Sequence, residues 1–265
     1  MNFLSRFGMS IAGFVATLTL TNLLGREKYG TYVVVISVLS WAAISANLGV
    51  AYAVRKRISE SIEGDYVSAG AALQFGLYLL VAIVLWLGRE PLNSYMEIQA
   101  TAILIALLAV RLAREFIQSV LEGQHLVHVS SVVSPVEAIA RSAVQVVLVL
   151  LGFELFGAFF GYFVGGVVAT SAGAYFARLH LSFPSREDVS HLTSYAKFSW
   201  LAGLKGKAFM SMDTLVLAFF VANSVIAVYQ VAWNVASLFA SFGSSVARTV
   251  FPEISEISSA DEDSE

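Results

Sequence analysis

Eight long apolar runs, separated by short polar breaks, constrain this chain more than any other feature. They cover Leu4–Leu24, Tyr32–Val54, Val67–Leu87, Ala100–Leu121, Val132–Leu151, Leu155–Ala177, Phe198–Val221 and Val225–Val250. Each holds about 20–26 residues, enough helix to cross a ~30 Å hydrocarbon slab. Barrel strands would be half as long and would alternate polar with apolar positions, which these runs do not. The expected fold is all-α: a polytopic membrane helix bundle of about eight transmembrane helices.

Composition agrees. Of 265 residues, 57% are hydrophobic and 13% charged, with a mean hydropathy of +0.75. A soluble domain carries about 25% charge. Too little polar surface is available for a disordered chain, a nucleic-acid-binding domain or an ordinary cytosolic enzyme, so nucleic acid is not an expected partner. The cysteine count is zero, which removes disulfides, thiolate metal sites and cysteine nucleophiles. The first run has only Arg6 as its basic region and no small-x-small cleavage site, so it reads as a retained helix.

The breaks set orientation. Eight basic residues fall on one side: Arg6, Arg55, Lys56, Arg57, Arg178, Arg186, Lys197 and Arg248. Three fall on the other: Arg26, Lys28 and Arg89. The richer side is expected to be cytoplasmic, which puts both termini inside a multi-pass protein of the plasma membrane. Gly152-Phe153-Glu154 predicts a very tight hairpin, and Arg178 to Lys197 reads as a linker.

Two stretches repeat. Tyr32, an apolar helix and Ile58-Ser59-Glu60 match Tyr229, an apolar helix and Ile254-Ser255-Glu256. The match is either chance between two apolar helices or a duplicated six-helix unit with parallel repeats. Duplication divides the chain into a six-helix lobe over 1–180, a cytoplasmic linker over 181–197, the first two helices of an incomplete second lobe over 198–257, and an acidic tail over 258–265. The chain is then expected to be a truncated copy of a longer transporter.

Eight ionisable residues lie within the apolar runs: Arg111, Arg114, Glu115, Glu137, Arg141, Lys205, Lys207 and Asp213. Each costs about 2.5–3.5 kcal/mol at a helix centre, too much for all to face lipid. Arg111, Arg114, Glu115 and Gln118 share one helical face; the arginines either snorkel to headgroups or line a path. Glu137, Arg141 and Gln145 form an i, i+4, i+8 stripe, either a structural ion pair or a substrate path. Lys205 and Lys207 are interleaved with Gly203 and Gly206, and Asp213 sits near mid-helix, where no snorkelling route exists. The eight sum to +2, which favours an anionic ligand such as a phosphate or pyrophosphate head group. These groups are counter-charges; no catalytic residue is assigned. Gly161, Gly165 and Gly166 mark close helix packing. His125 and His128 lack carboxylates at metal-ligand spacing, so no metal and no cofactor is expected. P-loop, nucleophile-elbow, H-E-x-x-H and dinucleotide motifs are not found.

Short motifs carry a family resemblance. One set is Leu24-Gly25-Arg26-Glu27-Lys28-Tyr29-Gly30-Thr31-Tyr32, then Asn47-Leu48-Gly49 and Ile58-Ser59-Glu60. The other is Asp213-Thr214-Leu215-Val216-Leu217, then Val228-Tyr229 and Phe251-Pro252-Glu253-Ile254-Ser255-Glu256. Together they resemble the oligosaccharide flippases, or polysaccharide biosynthesis (export) membrane proteins, of the multidrug/oligosaccharidyl-lipid/polysaccharide exporter superfamily. Members have twelve to fourteen helices in two lobes around a central cavity, and this sequence stops after eight. The resemblance implies flipping of a lipid-linked oligosaccharide on a polyprenyl phosphate or diphosphate carrier. It implies alternating access around a cationic cavity, membrane lipid as solvent, and a coupling cation. Self-association or a missing C-terminal half would complete the second lobe. A multidrug/toxin extrusion antiporter, a non-transporting membrane scaffold and an inactive fragment stay open as alternatives.

Overall fold

The computed structural model describes residues 3–60, 65–179, 182–208, 212–240 and 243; the side chains of 3–12, 198 and 201–208 lie outside that description. The chain is an all-α membrane helix bundle. Its helices are α1 (Phe3–Asn47), α2 (Val50–Ser59), α3 (Tyr66–Leu87), α4 (Arg89–Met96), α5 (Thr101–Gly123), α6 (Val127–Leu148), α7 (Glu154–Phe176), α8 (Arg186–Ala208), α9 (Met212–Leu217) and α10 (223–240).

Two glycines turn long apolar stretches into antiparallel arms. Gly25 breaks α1 with φ 76° and ψ 163°. A straight helix would hold Thr17 and Tyr29 about 18 Å apart. Instead the Tyr29 hydroxyl reaches both Thr17 and Thr21, so the arms fold back on each other. The same happens at Gly152 (φ 89°), inside a short π-helical turn over Val149–Phe153. Beyond it, Gly157 packs on Leu148, Gly161 on Gln145 and Gly165 on Arg141. One number rises as the other falls, as in an antiparallel hairpin, and the expected tight turn at Gly152-Phe153-Glu154 is present.

Length and apolarity identify Gly13–Asn47, Tyr66–Leu87 and Val127–Phe176 as membrane-crossing stretches, with α4 and α5 a fourth, bent by 91°. Asn93 organises that bend. Its Oδ1 accepts from the backbone N–H of Ala100 (3.1 Å) and Thr101 (3.2 Å), capping α5.

The centre of the bundle is the second arm of α1. Val34, Val35, Leu39 and Ala46 are fully buried there against Leu104 and Leu108 of α5 and Phe159 of α7. A second core joins α2, α3, α5 and α8 through Val54, Ala69, Val120 and Leu192. Phe75, Leu79, Leu80, Ile83 and Leu87 stay exposed on α3, the apolar stripe expected of a lipid-facing helix.

Some boundaries differ from the sequence expectation. The run Tyr32–Val54 is interrupted at Leu48 and Gly49, both at positive φ (40° and 82°). A Cβ on Gly49 would collide with the Ala196 carbonyl of α8, so close helix approach explains the turn. α8 begins at Arg186, inside the stretch read as a linker, because Ser185 caps it: its Oγ accepts from the Asp188 N–H at 3.0 Å. The Ile254-Ser255-Glu256 half of the repeat and the acidic tail lie outside the described residues.

Candidate functional site

Five of the eight intramembrane charges come together between α5, α6 and α7. Glu115 follows Arg111 by one turn of α5 and accepts from its Nε at 3.2 Å. Arg111 also donates to Ser40 Oγ on α1 at 2.9 Å. Arg114 reaches across to Glu137 of α6 at 3.2 Å, and Arg141 approaches the other Glu137 oxygen at 3.8 Å. The Arg141 guanidinium lies 5.6 Å from the centre of the Tyr162 ring on α7. Side-chain exposures run from 13% for the two glutamates to 33% for Arg141, so every member is substantially removed from solvent.

Three arginines against two glutamates leave this network at +1. The arginines are therefore paired inside the bundle, and the α5 and α6 stripes join in one ion-pair lattice with a residual positive charge. Asp213 stands apart on α9, where one oxygen accepts from the Thr214 N–H at 2.8 Å and the other from the Tyr229 hydroxyl on α10. Lys205 and Lys207 have side chains outside the described residues.

The lattice continues toward the basic end through Gln118, already expected on the α5 face, to Glu122 and Arg55, which sequence reasoning did not assign to a site. Gln118 donates to Glu122 at 3.1 Å, and Glu122 also accepts from Arg55 of α2 at 2.9 Å. These groups border a polar cavity of about 290 Å³ between the end of α1, α2 and α5. Across the Leu48–Gly49 turn, a nearly wholly apolar groove of about 460 Å³ runs past Leu73, Leu77 and Trp200 to Lys197.

At the opposite end, Asn223 closes the bundle. Its amide donates to Thr31 Oγ1 at 3.0 Å and to Glu97 Oε2 at 2.7 Å. Nearby, the Tyr95 hydroxyl donates to the Leu215 carbonyl at 2.6 Å and its ring packs on Phe219 at 4.6 Å. These contacts tie α1 and the α4–α5 bend to α9, the start of α10 and the turn between them. The only sequence signal for this closure is Gly30, a small residue where backbones meet. Among the described residues, no group of three His, Asp or Glu is placed to hold a metal ion.

The family described as "Polysaccharide biosynthesis protein" matches residues 1–258. A "Probable flippase AglR" of Haloferax volcanii is 27% identical over 264 residues, covering 97% of this chain and 55% of that protein. A "Probable low-salt glycan biosynthesis flippase Agl15" of the same organism is 26% identical over 240 residues, covering 90% of this chain and 51% of that protein. The chain thus spans about half the length of the curated relatives it matches. Among solved structures, an inward-facing multidrug resistance MATE family transporter of the MOP superfamily aligns with TM-score 0.52 at 20% identity, over 96% of this chain and 64% of that one. At that identity the likeness is one of fold.

Proposed function

Because this chain belongs to the polysaccharide biosynthesis protein family, we propose that it takes part in flipping a lipid-linked oligosaccharide across the plasma membrane. The observation that carries the reading is the buried lattice of Arg111, Arg114, Glu115, Glu137 and Arg141, net positive inside a lipid-facing bundle. A polyprenyl phosphate or diphosphate head group needs such a counter-charge in a low-dielectric path. The Asn223 closure at one end and a polar cavity at the other fit a carrier open toward its basic, cytoplasmic face, one state of an alternating-access cycle. Both termini are then cytoplasmic. The residues supply charge and hydrogen bonds, which suits a transport role.

A multidrug extruder shares the fold, but a cationic drug would meet a lattice that is already net positive. Leaflet sidedness of the lipid-linked oligosaccharide, read with an impermeant sugar-modifying probe in a deletion strain, tests the proposal. Accumulation on the cytoplasmic leaflet is expected; unchanged sidedness defeats it. Arg111→Ala, Arg141→Ala and Lys205→Ala should each impair surface-glycan assembly, and if none does, the cationic path is wrong.

A further inference from the structure

We infer that the polar cavity at the basic end, which shares Arg114 and Glu115 with the charge lattice, is a docking site for one neutral sugar unit at the outer edge of that lattice. This rests on the flippase reading and specifies what the mouth of the path recognises. Four charges border the cavity: Arg55, Arg114, Glu115 and Glu122. Two are positive and two negative, so the cavity is neutral. Each charge is already engaged. Arg55 donates to Glu122 at 2.9 Å, Arg114 bridges to Glu137 at 3.2 Å, and Glu115 holds Arg111 at 3.2 Å. A diphosphate entering here would confront the Glu115 and Glu122 carboxylates and break those pairs.

A sugar ring makes no such demand. Its hydroxyl groups both donate and accept, and the cavity offers both functions in fixed positions. The engaged carboxylates keep lone pairs for donors, and the Gln118 side chain carries a carbonyl and an amide. One wall is aromatic. Tyr52 is 38% exposed; the Arg55 guanidinium, 5.0 Å from its ring centre, covers one face and leaves the other for the apolar face of a pyranose. The volume of about 290 Å³ sits at the small end of ligand pockets and suits one ring in place of an oligosaccharide.

The test is saturation-transfer NMR on the 265-residue chain in a sugar-free detergent. The probes are the methyl glycosides of mannose, glucose, galactose and N-acetylglucosamine, with sodium pyrophosphate as competitor. At least one glycoside should show transfer, and pyrophosphate should not displace it. Tyr52→Ala removes an exposed ring, and Ser119→Leu fills the cavity from a small residue. Both should weaken binding about tenfold, the worth of one or two hydrogen bonds or contacts, while elution profile and thermal midpoint stay unchanged. If either variant misfolds, the other carries the test. No transfer from any glycoside, equal transfer in well-folded variants, or displacement by pyrophosphate overturns the inference. Leaflet sidedness separates the two readings. Glycoside binding with unchanged sidedness in the deletion strain defeats the flippase reading alone; lost flipping without pocket binding defeats the sugar site alone.

Discussion

Gly30 lies so close to Asn223 that a Cβ on Gly30 would collide with the Asn223 carbonyl group. The contact brings the α1 arm under the Asn223 amide, which then holds Thr31 and Glu97. Gly30→Ala should therefore pry the closure open without touching a charge. The chain has no native cysteine, so Ala227→Cys, at a fully buried position beside the closure, is a clean reporter. In the Gly30→Ala background an impermeant maleimide added from the Asn223 end should modify it about tenfold faster, as loss of roughly one to two hydrogen bonds predicts. Equal rates with and without the substitution would show that the contact is not a gate.

How much of this was legible beforehand depends on range. The helices follow from apolar runs, a local property, and the hairpin at Gly152 from a three-residue break. The ionisable residues of the lattice were legible one by one, because charge inside an apolar run is conspicuous. Their pairing was legible only within a helix, as for Glu137 and Arg141 at i, i+4. Glu115 and Arg111 are one turn apart and predictable, whereas Arg114 with Glu137 requires knowing that α5 and α6 face each other there. Glu97, Glu122 and Arg55 lie in breaks between runs, where a charge looks ordinary, so their roles emerged only from the packing. The start of α8 at Arg186 was missed because its first three turns are amphipathic: Val189, Leu192 and Ala196 pack into the second core, but no continuous apolar run announces them.

Glu137 is the hinge of the lattice, shared by Arg114 and Arg141. Replacing it with Gln takes the carboxylate from Arg141 and leaves Arg114 with only Glu115, at 4.0 Å, in a setting 13% exposed at Glu137. Breaking a buried pair costs about 3 kcal/mol, which for a chain of this size lowers the thermal midpoint by roughly 6–12 °C. The double variant Arg114→Gln/Glu137→Gln should recover part of that loss. A single variant as stable as the parent would mean that the lattice is held open to water and contributes little.

Asp65 makes a pH-dependent tie on the basic face. Burial pushes its carboxyl up, but bonds from Ser182 and Ser68 outweigh burial and hold it below the ordinary 3.8. The Ser182 hydroxyl and N–H both donate to it, the latter at 3.1 Å, and the Ser68 N–H donates at 3.0 Å. A depressed carboxylate stabilises above its unfolded pKa, and that contribution fades as pH falls through the folded value. Hydrogen exchange over 182–190 should therefore lose protection below pH ~3.8, and Asp65→Asn should show the same loss at pH 7. Protection that is unchanged in Asp65→Asn would mean that α8 is held by its apolar contacts alone.

Gly165 and Gly76 offer a paired test of why glycine recurs in these helices. A Cβ on Gly165 would stand 2.6 Å from the Arg141 Cβ, because α6 and α7 approach there without room for a side chain. Around Gly76 on α3 nothing lies within 4 Å. Gly165→Ala should destabilise by about 1–3 kcal/mol through overpacking, and it should push Arg141 away from Glu137. Gly76→Ala should instead stabilise by about 0.5–1 kcal/mol, since it removes only the entropic cost of glycine in a helix. Thermal midpoints in one detergent decide between packing and chance composition. Opposite signs are expected at the two positions, and equal small effects would show that the α6–α7 hairpin is looser than its glycine contacts imply.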